Sequence, residues 1–450
     1  MKRGPALSED ARQLVHITVG LCALLLRWLT WFEATFLAAA AVVFNMYGLH
    51  RTGGARLFRA DERGRWRIKS GIVLYPASVL GLLLVLPSRP DIVAASWGVL
   101  AAGDGAATLV GRRVPLRRLP WNSHKSAGGT LAFFVFGALA AIALLSWCSD
   151  RIIPPTYWWF PLVAGITAAA CAAAVETIPI SLDDNVSVAA TAAAVMWAMS
   201  LVSEDALKGF VATATGVLPV ALAVNIPVAA AGYAARTVSL SGTIVGAMLG
   251  TAVFVATGWA GWILLFATFA LAVISSRLGL ARKRALAIEE AREGRRGAGN
   301  AIANTGVAAA AALLSVTTYA HEPALIGFVA ALTAGGSDTV ASEIGKAWGR
   351  RTVLVTNLRK VRPGTPGAMS LEGTLAGLGG AALLASAGAA LDLIAWTALG
   401  PVIAAATAGA VIESLLGATL EPKGIVNNDV LNFLNTAVAA YVAILIMRAL

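Results

Sequence analysis

Long apolar runs follow one another almost without interruption from about Arg12 to Met447. A helix needs roughly 20 predominantly apolar residues to cross the hydrocarbon core of a bilayer. No water is available there to satisfy exposed backbone groups, so such runs are forced into helices. This feature confines the chain to an all-α fold, a polytopic transmembrane helical bundle. Composition agrees, with 58% hydrophobic and 13% charged residues and a mean hydropathy of +0.75, too apolar for a soluble chain of this length. The first run lacks a small-residue cleavage site and leads straight into a second, so it is expected to be a span and not a cleaved leader. The net charge of +11 lies mostly in loops, where it signals topology and not nucleic-acid binding. Cys22, Cys148 and Cys171 sit in apolar runs without a C-x-x-C pair, which argues against a disulfide framework or zinc site.

Counting runs of spanning length gives about fifteen spans. In the first half they cover about Arg12–Trp31, to Leu49, Ser70–Leu86, Asp91–Val110, Gly128–Trp147, Tyr157–Val175 and Val186–Val202. A polar break at Ser203–Lys208 separates them from runs at about Gly209–Tyr233, Leu240–Ala256, Trp259–Ser276, Asn300–Val316, Pro323–Ala334, Leu375–Leu391, Ile394–Leu415 and on to Met447. The predicted domains are therefore 1–202 and 209–450, with 203–208 as linker. The loops His50–Lys69 and Arg277–Arg296 carry seven Lys and Arg each. Basic loops mark the cytoplasmic face, and the same counting puts nearly every acidic or glycine-rich motif on that face of a cell inner membrane.

The two halves share a grammar. Asp104 stands seven residues before Gly111, and Asp338 seven before Gly345. In both, S-x-x-G-T closes a basic loop, at Ser126–Thr130 and Ser370–Thr374. Asp104 precedes Glu176 by 72 residues, and Asp338 precedes Glu413 by 75. An acidic and amide cluster follows each Glu: Asp183, Asp184 and Asn185, then Asn427, Asn428 and Asp429. A carboxylate inside a span costs roughly 2.5–3.5 kcal/mol, so it faces the bundle interior or a cavity and is functional by default. Oxygen donors of this kind suit magnesium shared with substrate phosphates. Lys125 with Ser126, and the turn Arg362–Gly367, are candidates for holding a nucleotide's phosphates, since backbone N–H groups of such turns cradle anions. There is no G-x-x-x-x-G-K-[ST], so this is no P-loop enzyme. Glu9, Arg12 and His16 share one helical face, as either a membrane-entry face or part of a site. Asn300 and Asn304 are either packing amides or substrate contacts.

At these motifs the chain resembles known families. Residues 1–202 are similar to the membrane family of phytol kinase, dolichol kinase and phosphatidate cytidylyltransferase. The resemblance rests on E-x-x-R-x-x-x-H at Glu9–His16, G-D-x-x-A at Gly103–Ala107, P-W-N-x-x-K-S-x-x-G-T at Pro120–Thr130 and E-x-x-P-x-x-x-D-D-N at Glu176–Asn185. Gln13 stands where that family usually has Lys. Residues 209–450 resemble the phytyl-phosphate kinase family, through S-D-T-x-A-S-E-I-G at Ser337–Gly345, P-G-T-x-G-A-x-S-x-x-G-T at Pro363–Thr374 and E-S-x-L-G-A at Glu413–Ala418.

The resemblance implies a fused, bifunctional kinase. The first half would phosphorylate an isoprenoid alcohol, and the second would convert the monophosphate to the diphosphate, with CTP as donor and Mg2+ as cofactor. Asp104, Asp183, Asp184 and Asn185 would hold metal, Lys125, Ser126 and Thr130 the nucleotide phosphates, and Glu176 would serve as a further ligand or as the base. In the second half Asp338, Glu343, Asn428 and Asp429 would take the metal role, with Glu413 catalytic. Arg362, Gly364, Thr365, Gly367, Ser370 and Thr374 would form the phosphate loop. Two other classes share part of this pattern: a cytidylyltransferase forming a CDP-lipid, and a tandem-repeat transporter with midplane charges.

Overall fold

A computed structural model of the protein describes residues 8–49, 51, 70–114, 116–119, 122–152, 156–178, 182–286 and 295–450. The loop expected at His50–Lys69 lies outside the described residues, as does the middle of Arg277–Arg296. The protein is an all-α, polytopic membrane protein whose only strands, among the described residues, form two short hairpins. The chain divides into two compact units, Met1–Leu201 and Val202–Leu450.

In the first unit α1 (Glu9–Gly20) runs into a 3-10 segment at Leu21–Arg27, and α2 (Trp31–Val43) ends in a π turn at Phe44–Gly48. Then come α3 (Gly71–Val85), α4 (Pro90–Gly98) and α5 (Gly105–Arg113), the last two joined through a π-helical stretch at Val99–Asp104. A hairpin of β1 (Arg118–Leu119) and β2 (Asn122–Ser126) leads into α6 (Ala127–Trp147), α7 (Phe160–Thr177) and α8 (Asp184–Ser200). Alanine is the most frequent residue of the core, which lets helix backbones approach closely where lipid gives no hydrophobic drive to associate. Ala164, Ala168, Ala172, Ala189 and Ala192 are all buried there.

The second unit starts with α9 (Glu204–Ala234) and α10 (Leu240–Arg277). Helix α10 breaks at Gly258, whose φ of 63° is left-handed. Its two arms are the expected runs Leu240–Ala256 and Trp259–Ser276. After the short α11 (Leu280–Ala285) come α12 (Ala298–Thr317) and α13 (His321–Trp348). A hairpin of β3 (Thr352–Leu354) and β4 (Ala368–Ser370) then opens into α14 (Leu371–Ala390), α15 (Leu399–Thr419) and α16 (Asn428–Ala449). Helix α13 is the unit's central post, buried continuously from Ile326 to Ser337. Gly377 and Gly380 of α14 bring that helix onto Ser337, Val340 and Ala341 of α13.

Among the described residues ten helices are long and apolar enough to cross a membrane, against the roughly fifteen runs of spanning length. Of the other runs, one is the second arm of α10. The rest correspond to the broken or shorter helices α1, α2, α3 and α8.

Candidate functional site

Each unit builds a polar site from one local device. A seven-residue offset is two helical turns, so the Asp and the Gly of each D-x6-G lie on one face. Gly111 and Gly345 then meet the serine that ends the hairpin. A Cβ on either glycine would come 3.1 Å from Ser126 Oγ or Ser370 Oγ. Each serine caps the next helix: Ser126 Oγ accepts from the Gly129 N–H (3.2 Å), and Ser370 Oγ from that of Gly373 (3.1 Å). The cap fixes where the basic loop rejoins the bundle.

In the first unit the π stretch ends at Asp104, a distortion that recurs at functional sites. Asp104, Glu176 and Asp184 come together, with ligand oxygens all within 4.8 Å of one another. Lys125 Nζ reaches across from β2 to Glu176 Oε1 (2.5 Å) and Asp184 Oδ2 (2.9 Å). Burial alone would lower the pKa of Lys125, but Asp184 and Glu176 hold it above its ordinary value. The second oxygen of Glu176, Oε2, is buried without a hydrogen-bond partner. An unsatisfied carboxylate oxygen is costly, so a cation or a proton donor fits there.

Beside this cluster lies a cavity of about 210 Å³ lined by Thr108, Gly111, Arg112, Arg118, Lys125, Ser126, Gly129 and Thr130. It is basic and glycine-edged, and the carboxylate of Glu176 closes one side. Thr130 Oγ1 donates to Ser126 O (3.2 Å). The expected face of α1 also arrives: His16 Nε2 lies 3.9 Å from Asp104 Oδ2 and 3.4 Å from Leu100 O. Arg12 and Gln13 both donate to Glu9. Asp183 stands outside the three-carboxylate group. It is the N-cap of α8 and its Oδ1 accepts from both nitrogens of Asn185.

In the second unit Asp338 of α13 and Glu413 of α15 interact directly. Glu413 Oε2 is buried with no donor of its own. The amide of Asn432, in the orientation that satisfies its neighbours, donates to Glu413 Oε1 at 3.0 Å. Two carboxylates facing each other need a proton or a cation between them. They open on a cavity of about 240 Å³, whose wall includes Lys346, Gly364, Thr365, Gly367, Ser370, Thr374 and Asn428. Gly364 and Gly367 have φ of 83° and 70°. Gly367 rests directly on Ser414 O and Ala418 N, where no Cβ fits. Glu421 stands at the rim, its pKa raised by burial.

Three residues expected at the site do not line this cavity. Glu343, expected as a metal ligand, is buried in an ion pair, accepting from Lys283 (2.5 Å) and Lys346 (2.9 Å) on its two oxygens. Helix α13 continues through Trp348, and five residues of helix turn Glu343 about 140° from Asp338. Arg362, expected on the phosphates, contributes its carbonyl to the turn, accepting from Thr365 N and Oγ1, and does not line the cavity. Asp429 points to Gly299 in the first turn of α12, away from that cavity. Asn300 and Asn304 line a different cavity of this unit. Sequence reasoning missed Lys346, Asn432 and Glu421. Lys346 was legible, because it lies eight residues after Asp338, close to the same face.

The comparisons with known proteins bear on this geometry. An uncharacterised membrane protein of Synechocystis is 38% identical over 202 residues, 44% of this chain and 78% of that one. The family model for integral membrane protein DUF92 matches residues 223–440. The chain belongs to this DUF92 family. Protein VTE6 of Arabidopsis thaliana, chloroplastic, is 37% identical over 217 residues, 47% of this chain and 65% of its relative. Phytol kinase 1 of the same plant is 30% identical over 199 residues, 42% of this chain and 65% of the kinase. The chain thus spans less than two thirds of those two relatives. No solved structure matches this DUF92 member.

Proposed function

We propose that the chain is a membrane isoprenoid kinase with two sites, the first unit phosphorylating a prenol and the second phosphorylating the resulting monophosphate. The observation that carries this reading is common to both units. A buried carboxylate with one unpartnered oxygen, Glu176 or Glu413, borders a glycine-edged cavity that also carries a lysine, Lys125 or Lys346. The likeness to phytol kinases supports an isoprenoid acceptor, and the family resemblance of the motifs supports CTP as donor.

Asp104 and Asp184 in the first unit, and Asp338 and Glu413 in the second, would hold magnesium. Bound there, the ion neutralises charge on the transferred phosphoryl group. In the first reaction the alcohol oxygen bonds to the terminal phosphorus of the nucleotide. The bond from that phosphorus to its bridging oxygen breaks, CDP leaves, and the alcohol proton passes to Glu176 Oε2. Lys125, held charged by Glu176 and Asp184, steadies the phosphates. In the second reaction the acceptor oxygen is already anionic and needs no base, and Lys346 with the Gly364–Gly367 turn offsets its charge.

The test is purified protein in detergent with geranylgeraniol or phytol, magnesium, and CTP labelled on either the terminal or the first phosphorus. Label from the terminal position appearing in lipid mono- and diphosphate supports the proposal. Label from the first phosphorus in lipid marks a CDP-lipid, and no labelled lipid with any isoprenoid or nucleotide refutes the kinase reading.

A further inference from the structure

Asp104 ends the π-helical stretch Val99–Asp104, which joins α4 to α5 within the single run Pro90–Arg113. A π turn is rare and takes in one residue more than an α turn, and each α-helical residue turns the chain by about 100°. The extra residue therefore sets Asp104 about 100° round from where an unbroken helix would carry it. Thr108 and Gly111 of α5, which line the cavity, turn with it.

The neighbours that hold this turn come from three helices. Helix α1 lies directly on it: a Cβ on Gly20 would run into Ala101, and one on Gly105 would run into Ile17. From the same helix His16 Nε2 stands 3.4 Å from Leu100 O, inside the stretch. A carbonyl only accepts, so Nε2 carries a proton and donates it. The same nitrogen lies 3.9 Å from Asp104 Oδ2, too far for a hydrogen bond, so His16 grips the backbone of the stretch more than the carboxylate. The ring is itself held. It packs on Tyr75 with centroids 4.3 Å apart. Tyr75 OH donates to His16 O (3.2 Å) and accepts from Trp97 Nε1 of α4 (2.8 Å). The contacts thus run from α4 through Tyr75 of α3 and His16 of α1 back to the turn that α4 leads into. None of these three side chains lines the cavity. Arg12 and Gln13, earlier on α1, donate to Glu9 instead.

We propose that His16 is a positioning residue of the first unit, whose Nε2–H holds the π turn at Leu100 and so aims Asp104 at Glu176 and Asp184. The assignment rests on the reading of Asp104 and Asp184 as magnesium ligands, whose oxygens lie with that of Glu176 within 4.8 Å of one another. A histidine that only filled space would be replaceable by leucine. A donor at Nε2 is replaceable by glutamine, whose amide nitrogen reaches about as far from the backbone.

The experiment uses the full chain in detergent, nucleotide-free, with Asp338→Asn and Glu413→Gln in place so that the second unit's carboxylate pair takes no ion. Binding of Mn2+, a paramagnetic stand-in for magnesium, is read by electron paramagnetic resonance. His16→Leu, His16→Gln and Tyr75→Phe are compared with the parent chain, each with and without Asp104→Asn. His16→Leu should weaken Mn2+ by about tenfold or more, the scale of losing a group that orients a metal ligand, and His16→Gln should restore most of it. Tyr75→Phe should weaken it by about threefold, the scale of one neutral hydrogen bond. Beside Asp104→Asn these differences should vanish, because residues that act through one group are not additive. With the second unit intact, His16→Leu should raise the magnesium needed for half-maximal prenol phosphorylation and leave kcat at saturating magnesium little changed. Unaltered Mn2+ affinity in His16→Leu, an equal loss in His16→Gln, or losses that persist beside Asp104→Asn would each overturn the assignment. Should His16→Leu not fold, Tyr75→Phe decides by the same criteria. Metal binding with this pattern but no phosphoryl transfer would keep the role of His16 and sink the kinase reading. Phosphoryl transfer with Mn2+ affinity indifferent to His16 would do the reverse.

Discussion

The ion pair between Lys283 and Glu343 gives the sharpest test of how the second unit is organised. Both side chains are 2% exposed, so solvent screens the pair very little. Lys283 also donates to Ser276 O (2.6 Å), and Glu343 keeps Lys346 at 2.9 Å. Removing one partner of a buried pair costs roughly 3–5 kcal/mol, because the other is left uncompensated. Lys283→Met should fall at the low end, about 3 kcal/mol, since Lys346 still faces Glu343. For a unit of this size each kcal/mol moves the melting temperature by about 2–4 °C, so a fall of roughly 6–12 °C is expected. The double variant Lys283→Met/Glu343→Leu should recover most of that loss, because a buried pair replaced by apolar residues is often neutral or stabilising. Thermal unfolding in detergent measures the stability, and conversion of prenyl phosphate to diphosphate measures function. The reasoning predicts that the double variant keeps diphosphate formation. A stable double variant with no diphosphate formation would refute it and return Glu343 to the site as a ligand.

Two further predictions separate the units. Gly367→Ala costs about 1–2 kcal/mol for its left-handed backbone, before the contact with Ser414 and Ala418. It should abolish diphosphate formation and spare prenol phosphorylation, while Gly379→Ala, which meets nothing within 4 Å, should do neither; assays with prenol and with prenyl phosphate tell these apart. Lys125→Met removes the cation that bridges Glu176 and Asp184, and should lower kcat for prenol phosphorylation by about 10²–10³, the range for losing one electrostatic stabiliser. A smaller loss than tenfold would place Lys125 outside the reaction.

The helices were legible because lipid leaves the backbone no other option, and the break between the arms of α10 was visible at Gly258. Asp104, Glu176, Asp338 and Glu413 stood out in the sequence because a membrane helix excludes carboxylates unless they face inward. Proximity along the chain does not decide which residues meet in space. Asp338 and Glu343 looked like one acidic pair, but a continuous helix turns them to different sides. Asn428 and Asp429 diverge for the same reason at the start of α16, one toward the cavity and one toward α12. Lys283, far off in a basic loop, gave no sign that it is buried. Charge counting reads such a residue as topology, and only packing reveals its partner. Likewise, the amide of Asn432 meets Glu413 only once α15 and α16 are packed together.

The central claim is that each unit carries its own phosphoryl-transfer step, and product analysis of Asp104→Asn and Asp338→Asn tests it most directly. With geranylgeraniol, magnesium and labelled CTP, wild type should reach the diphosphate, Asp338→Asn should accumulate the monophosphate, and Asp104→Asn should yield nothing from the alcohol. Asp104→Asn should still convert added geranylgeranyl phosphate. If either substitution blocked both steps equally, or neither blocked any, the two-site account would be contradicted.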